Sequence, residues 1–251
     1  TSYSDVCEVC GGKTQQDTPI ELYWCDNCRV PIIREVSDTS PMICPSCGKT
    51  IRYLAKDLRP VFPEERLLLE VVKGTPLAFI NSSVWASGSR YYIDGKTANL
   101  SIETLKKIDV EKVVEILSQY KDKNDYSFFN ENIKTFIDCN RERLDSIKNE
   151  ATSFVVEQVK RFPNHKLVIS FSGGKDSTVV ADIVTRALSD PSIVHIFGDT
   201  TLEFPTTYEY VSRFRKNNPM AIVKTAKNKE DYFDFELYYV ELGTAYTNEY
   251  G

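Results

Sequence analysis

A glycine-containing loop between an apolar strand and a helix constrains the fold of this chain most strongly. Residues 166–171 form an apolar run that predicts a buried strand, and residues 178–188 predict a helix. Between them, residues 172–177 read Ser-Gly-Gly-Lys-Asp-Ser. This order directs backbone N–H groups and a helix N-terminus at an anion. The sequence therefore predicts an α/β domain with an anion-binding loop. A polar loop of any doubly wound domain is the alternative, and the spacing of a Walker loop is absent.

A second strand-and-helix pattern follows directly. Residues 192–197 predict another parallel strand, residues 206–216 a helix with Pro205 in its first turn, and residues 220–225 a third strand. Acidic and hydroxyl residues follow the second strand, at the end where open α/β sheets bind ligands. The candidates there are Asp199, Thr200 and Glu203. His195 lies inside the strand and is expected to be a core residue.

These two motifs together resemble the phosphoadenosine-phosphosulfate (PAPS) reductase family of the PP-loop ATP-pyrophosphatase superfamily. The second motif departs from the family pattern, because Thr201 stands where glycine is usual and Thr206 where glutamate is usual. The resemblance implies an open parallel-sheet PP-loop domain, of the adenine nucleotide alpha-hydrolase-like fold. Superfamily members cleave ATP between the α and β phosphates. PAPS-reducing members use a C-terminal cysteine, whereas this chain has no cysteine after Cys139.

The loop residues suit a pyrophosphate site. The backbone around Gly173 and Gly174 is expected to hold the phosphates, and Lys175 to neutralise charge on the leaving group. Asp176 either binds Mg²⁺ or caps the following helix. Asp199 is a candidate for ribose or metal contact. Lys175 and Asp176 are the predicted catalytic residues. The predicted nucleotide-binding set is Ser170, Ser172, Gly173, Gly174, Lys175, Asp176, Ser177, Asp199, Thr200 and Glu203.

Six of the seven cysteines occur in C-x-x-C pairs. Cys25, Cys28, Cys44 and Cys47 have the four-cysteine spacing of a zinc ribbon and predict a closed, structural Zn²⁺ site. Cys7 and Cys10 are weaker candidates, which either replace one pair or bind elsewhere. This cysteine usage fits a reducing, cytoplasmic setting better than disulfides. No apolar run is long enough for a membrane span, so no membrane partner is expected.

The predicted organisation is a zinc-ribbon region at residues 1–58, a small α+β domain at 59–125, and a helical linker with the PP-loop domain at 126–251. That last domain is expected to be incomplete at its C-terminus. In the middle domain, residues 63–73 predict a helix, residues 77–80 and 84–85 alternate as strands do, and residues 90–93 with Asp94-Gly95 indicate a hairpin. Asp109 is a plausible N-cap. The domain resembles RNA-binding PUA-type modules.

Two features of this region have alternative interpretations. The aromatic and basic group of Trp85, Arg90, Tyr91 and Tyr92 favours core packing over a nucleic-acid face. Residues 130–162 predict one long helix or two joined helices, and Cys139 within them is most simply an apolar residue rather than a catalytic thiol.

Three functions follow from these patterns. The leading one is a nucleotide-activating enzyme of sulfur metabolism that takes ATP, or PAPS, with Mg²⁺ and works at the α-phosphate. The second is a true PAPS or APS reductase whose cysteines lie in a missing C-terminal part. The third is a nucleic-acid thiolation or phosphorothioation subunit. Expected partners are an adenine nucleotide, a sulfur-donor or reductant protein, and tRNA or DNA. A net charge of -5 argues against a globally basic nucleic-acid binder.

Overall fold

The computed structural model describes residues 19–98, 106 and 108–227. The chain divides into two compact units, Thr1–Leu144 and Asp145–Gly251. Cys7 and Cys10 lie outside the described residues, as do residues 99–105 and 107 of the predicted middle domain. In the described part of the chain, no helix is both long and apolar enough to cross a membrane.

The first unit begins with a three-stranded antiparallel sheet. Strands β1 (Ile20–Cys25), β2 (Val30–Glu35) and β3 (Arg52–Ala55) are arranged in the order β2-β1-β3. The first C-x-x-C pair lies at the turn from β1 to β2, and the second lies on the segment between β2 and β3. The apolar side chains beneath these turns are buried, namely Val30, Ile32 and Ile51. The sheet therefore brings two cysteine-bearing turns to one end.

A second antiparallel sheet and a helix follow. Strands β4 (Arg59–Pro60), β5 (Val84–Ser87), β6 (Arg90–Ile93) and β7 (Lys96–Thr97) pair in chain order, and α1 (Pro63–Val72) lies between β4 and β5 in sequence. The predicted hairpin is confirmed. Asp94 and Gly95 form its two-residue turn with φ of 47° and 72°, the backbone that a tight hairpin favours. Trp85 and Tyr92 are buried, which confirms the core interpretation for these two aromatics.

The strand expected at residues 77–80 is wrong. These residues form turns, and Leu77 has a φ of 63°. The physical reason is the buried carboxylate of Glu70, which accepts hydrogen bonds from the backbone N–H groups of Leu77 and Phe79, both at 2.8 Å. A side chain from α1 thus provides the acceptors that a neighbouring strand would otherwise supply.

Helices complete the first unit and lead into the second. These are α2 (Val110–Tyr120), a 3₁₀ turn at Lys121–Lys123, α3 (Ser127–Cys139) and α4 (Arg141–Arg161). The predicted N-cap of α2 is confirmed, because Asp109 accepts a hydrogen bond from the Lys112 N–H at 3.1 Å. The helical stretch predicted at residues 130–162 is two helices, which meet at the buried Asn140.

Asparagine side chains attach α3 to the ribbon sheet. Asn140 accepts from the backbone N–H of Ile33 at 2.7 Å and donates to the carbonyl of Pro31 at 2.9 Å. Asn132 donates to the carbonyl of Arg29 at 3.0 Å. The Asp94-Gly95 turn also packs on the ribbon, since a Cβ on Gly95 would lie only 2.5 Å from the buried Trp24 ring. These contacts therefore join the ribbon sheet to the second sheet and to α3.

The second unit is built on a parallel sheet. Strands β8 (Val168–Ser170), β9 (Val194–Asp199) and β10 (Ile222–Lys227) lie in the order β10-β9-β8 and are all parallel. Helix α5 (Lys175–Leu188) joins the first two strands, and α6 (Pro205–Asn217) joins the last two. Phe171, Phe197 and Val211 are buried between the helices and the sheet. This is the predicted α/β arrangement over residues 166–227, and the loop at 172–177 follows β8, an outer strand of the sheet.

Candidate nucleotide site and cysteine cluster

The loop between β8 and α5 has a backbone suited to an anion. Gly173 has a φ of 74°, and a Cβ there would lie 3.0 Å from the Val211 side chain and 3.3 Å from that of Thr207. Both the backbone conformation and the limited space therefore favour glycine at this position. Gly174 is the N-cap of α5, so no capping side chain engages the first-turn N–H groups of that helix. These groups are available to an anion.

The polar side chains of the loop bond mainly to one another. The Ser172 and Ser177 hydroxyl oxygens are 3.1 Å apart, and Ser177 also donates to the Gly174 carbonyl at 3.1 Å. Lys175 Nζ lies 2.9 Å from Asp176 Oδ1, and both side chains are almost fully exposed, at 89% and 88%. An ion pair this exposed is weak, so either charge can turn to a ligand at little cost. Asp176 lies in the first turn of α5 and is not its N-cap.

A second polar group lies at the end of β9, next to β8 in the sheet. The Asp199 carboxylate is only 9% exposed, and its Oδ1 accepts from the Tyr208 hydroxyl at 2.6 Å and from the Thr201 N–H at 3.0 Å. These two hydrogen bonds lower the pKa of Asp199. The hydrogen bond between Tyr208 and Asp199 also raises the pKa of Tyr208 to about 12. Lys227 Nζ lies 4.0 Å from Oδ2 of Asp199. The carboxylate is thus ionised and fixed in direction.

The remaining predicted residues also lie at the carboxyl ends of the strands. Ser170 is the last residue of β8, and Thr200 donates to Glu203 Oε1 at 3.0 Å in the loop after β9. Thr201 has a φ of 66°, which explains why the family pattern has glycine there. His195 is buried, as expected of a core residue. The predicted nucleotide-binding residues therefore form a loop group and an Asp199 group at the ends of two adjacent parallel strands.

The sequence analysis did not identify Tyr208 and Lys227. Tyr208 lies in the first half of α6, where its ring reads as ordinary helix surface. Lys227 is paired in register with Asp199 across β10 and β9. A signal for Lys227 existed, because the last residues of neighbouring parallel strands lie side by side.

The four cysteines predicted to bind zinc do converge. Their Sγ atoms all lie within 4.8 Å of one another, with Cys25 to Cys47 at 3.5 Å and Cys28 to Cys44 at 3.8 Å. Tetrahedral Zn–S bonds of about 2.3 Å require Sγ separations of about 3.8 Å. The residues present therefore fit a closed four-thiolate metal site, compatible with a zinc ribbon, whose role would be structural.

The thiols of this cluster differ in acidity. Burial raises the pKa of Cys25 and of Cys28 to about 12. Burial acts in the same direction on Cys47, but the hydrogen bond from the Lys49 backbone and the neighbouring thiols outweigh it and lower its pKa to about 7. Because a metal ion binds thiolates, it would have to displace protons from the two buried thiols. Metal binding at this cluster is therefore expected to weaken as the pH falls.

The two C-x-x-C turns use different residues at the same place. Gly48 follows the second turn with a φ of 69°, whereas Arg29 follows the first with a φ of 55°. Such a backbone is strained for arginine. The Arg29 side chain offsets the strain, because it binds Asp94 at 2.7 Å and the Asn81 carbonyl at 2.8 Å. Arg29 thus joins the first cysteine turn to the hairpin.

Cys139 lies beside the cluster rather than among its ligands. Its side chain is 3% exposed and packs in the same apolar core as Cys25 and Cys44. Burial also raises the pKa of its thiol, which opposes nucleophilic reactivity. The interpretation of Cys139 as an apolar core residue is therefore confirmed.

Comparison with known proteins supports a family for part of the second unit. Residues 166–241 match the phosphoadenosine phosphosulfate reductase domain. This segment is PAPS reductase-like. The match points to the PP-loop and PAPS reductase-like enzyme superfamily, in agreement with the loop and strand order described above. It covers the candidate nucleotide residues and β8 to β10, but none of the cysteine cluster.

Two curated relatives extend the comparison without naming an activity. The chain is 30% identical over 109 residues to the uncharacterized protein MJ0973 of Methanocaldococcus jannaschii, which covers 42% of this chain and 26% of that protein. It is 27% identical over 133 residues to the uncharacterized protein MJ0066 of the same organism, which covers 51% and 27%. The matched part thus spans about a quarter of each relative. No solved structure matches the chain significantly.

Proposed function

We propose that the second unit binds ATP or a related adenylyl nucleotide and cleaves or transfers at its α-phosphate, as a PP-loop enzyme of sulfur metabolism. The observation that carries this proposal is the loop at residues 172–177. It combines a glycine with a left-handed backbone, a helix N-terminus without a side-chain cap and an exposed lysine at the carboxyl end of a parallel strand. Pyrophosphate is the anion that fits such a combination.

The proposed roles of the loop residues follow from their positions. The first-turn N–H groups of α5 would bind the β and γ phosphates, and the hydroxyls of Ser172 and Ser177 would donate to phosphate oxygens. Lys175, freed from Asp176, would stabilise charge as pyrophosphate leaves. Asp176 would hold Mg²⁺ directly or through water, since carboxylates and phosphates are its usual ligands. Mg²⁺ would supply further charge neutralisation at the phosphates.

The Asp199 group would orient the nucleoside. With phosphates on the loop after β8, the rest of the nucleotide extends along the strand ends, where Asp199 is the fixed, ionised acceptor. A ribose hydroxyl is a suitable donor to its Oδ2. In the proposed reaction, an acceptor oxygen bonds to the α-phosphorus, the bond to the bridging oxygen breaks, and pyrophosphate takes that oxygen away.

A PAPS or APS reductase is the second candidate, favoured by the description of the matching family. Reduction needs a nucleophilic thiol, and residues 140–251 contain no cysteine. The thiol would therefore come from another part of a longer chain or from a reductant protein. In that case the same loop would bind the anionic end of the nucleotide without releasing pyrophosphate.

A nucleic-acid acceptor is proposed as the third possibility, on the evidence of the ribbon sheet. Arg52 and Tyr53 are exposed on β3, at the edge of that sheet. The exposed Tyr53 ring suits base stacking, whereas Arg52 points to the opposite face of the strand and pairs with Asp26 at 3.4 Å. The acceptor would then be a tRNA or DNA group that is sulfurated afterwards.

The test is pyrophosphate release from ATP and Mg²⁺ by the whole chain, with sulfate, tRNA and DNA as acceptors in turn. Lys175→Ala should slow release about 10²–10³-fold, whereas Lys216→Ala, which removes the same charge from the last turn of α6, should not slow it. Release that requires Lys175 and one acceptor supports the proposal and names the acceptor. Binding of PAPS without release under any condition would favour the reductase instead.

A further inference from the structure

A cavity of about 530 Å³ lies between helices α5 and α6. Its walls come from residues along both helices, including Thr178, Asp182 and Thr185 on α5 and Tyr210 and Phe214 on α6. The segment from Pro219 to Ala221 also lines it. The volume is within the range of small-molecule sites. This cavity is separate from the predicted nucleotide-binding residues, none of which lines it.

His195 lines the cavity, and its Nε2 atom has no hydrogen-bond partner among the described residues. His195 is 1% exposed, and its Nδ1 lies 2.8 Å from the carbonyl oxygen of Ile193. Since a carbonyl only accepts, Nδ1 carries the proton, and Nε2 of the neutral ring is an acceptor. Nε2 is buried and has no partner among the described residues. Buried acceptors are nearly always paired, so this atom indicates a donor that the described residues do not provide.

Aromatic rings surround His195. The Phe214 ring centroid lies 5.5 Å from that of His195 and 4.4 Å from that of the buried Phe171. Phe214 is therefore held in place from behind and presents a fixed aromatic surface to the cavity. Flat apolar groups pack well against such a surface. A planar ligand suits this wall better than a flexible chain.

The cavity also has an unpaired cation. Arg213 lines it, and its guanidinium lies 5.7 Å from the Tyr210 ring centroid, with no carboxylate partner in the described part of the chain. The acidic residue of the lining, Asp182, is already paired with Arg186 at 2.7 Å. The local charge therefore favours an anionic group on the ligand.

We infer that this cavity is a second small-molecule site, for a planar heteroaromatic anion. The ligand's N–H group donates to Nε2 of His195, its ring lies against Phe214, and its anionic group faces Arg213. This inference does not depend on the reaction proposed for the loop, because it uses none of the loop residues. Its failure would leave the proposed function intact.

Indole-3-acetate is a suitable probe, because it carries a planar ring, one N–H donor and a carboxylate. 1-Naphthaleneacetate has a similar shape and charge but no N–H group. The whole chain, labelled with ¹⁵N at histidine, has only two histidines, and His165 lies outside the cavity. The pH is the same in all samples, so that differences between them report the probe alone.

The expected result is a saturable change in the His195 Nε2 resonance with indole-3-acetate, while its Nδ1–H and the His165 signals stay constant. The naphthalene acid should not produce the Nε2 change. Arg213→Gln should weaken indole-3-acetate binding about fivefold, whereas Lys216→Gln on the same helix should have no effect. An unchanged His195 signal at millimolar probe, or equal binding by wild type and Arg213→Gln, would overturn the inference.

Discussion

The cysteine cluster and the phosphate loop are built in opposite ways. The cluster is enclosed in a core, and its first turn is connected to the hairpin and to α3 through Arg29, Asp94 and Asn132. In the loop, by contrast, Lys175 and Asp176 are exposed and bond to each other. A site that must keep its shape is buried and supported, whereas a site that must exchange ligands keeps its charged groups free. Changes in the first should therefore alter stability, and changes in the second should alter turnover.

Loss of metal should have the largest effect. Structural zinc sites contribute about 10–16 kcal/mol, which matches or exceeds a typical domain stability of about 5–15 kcal/mol. Chelation of the metal, or Cys44→Ser, should therefore unfold the first unit. Both tryptophans of the chain, Trp24 and Trp85, are buried in that unit, so a red shift of tryptophan emission measures its unfolding. Cys139→Ala is the control and should retain one zinc per chain. Unchanged emission after complete metal removal would contradict this prediction.

Lys175→Ala should have the next largest effect, and on turnover alone. Loss of one charged group at a leaving pyrophosphate is expected to slow its release about 10²–10³-fold. The side chain is 89% exposed, so thermal stability should not change. Measurement of pyrophosphate release and of the melting temperature on the same samples checks the expected loss of turnover and the expected unchanged stability. A clear loss of stability would mean that the loop is less independent than its contacts indicate.

Gly95→Ala should destabilise the first unit by about 3 kcal/mol. The new Cβ would lie 2.5 Å from the Trp24 ring, which has no room to move because it is buried. Gly88→Ala is the matched control in the same sheet. It has a similar positive φ of 53° but nothing within 4 Å among the described residues, so it should cost only about 1 kcal/mol. Urea unfolding followed by tryptophan emission measures the difference, and equal values would refute the proposed contact.

Tyr208→Phe should have a smaller and pH-dependent effect. The Tyr208 hydroxyl is the main cause of the lowered pKa of Asp199. A lowered pKa stabilises the fold at neutral pH, and this contribution is lost as the pH falls through the pKa of the folded state. The variant should raise the pKa of Asp199 and be less stable than wild type at neutral pH but not in acid. Carbon NMR of the Asp199 carboxyl, with thermal melts across the pH range, tests this. Identical pKa values of Asp199 in the variant and in wild type would show that the Tyr208 hydroxyl does not stabilise the Asp199 carboxylate.

Local patterns predicted the parts of this molecule that depend on sequence spacing. The convergence of Cys25 and Cys44 with their partners, the α/β order around residues 172–177 and the cap at Asp109 all follow from short-range chemistry. The contacts that unite the first unit do not. Nothing near Asn140 or Gly95 in sequence indicates Pro31 or Trp24 as a partner, since these pairs form only when the chain folds. Glu70 likewise overrode the alternating pattern at residues 77–80 with a buried carboxylate.

The attachment of Asn140 has a consequence for self-association. An outer strand of a sheet carries unpaired N–H and carbonyl groups, which can join the edge of another molecule. On β2, the Asn140 amide engages the N–H of Ile33 and the carbonyl of Pro31, in the manner of a paired strand. The ribbon sheet is thereby protected on that side. Without the Asn140 side chain, the first unit would expose the unpaired backbone groups of a second outer strand. We would then expect aggregation rather than simple unfolding.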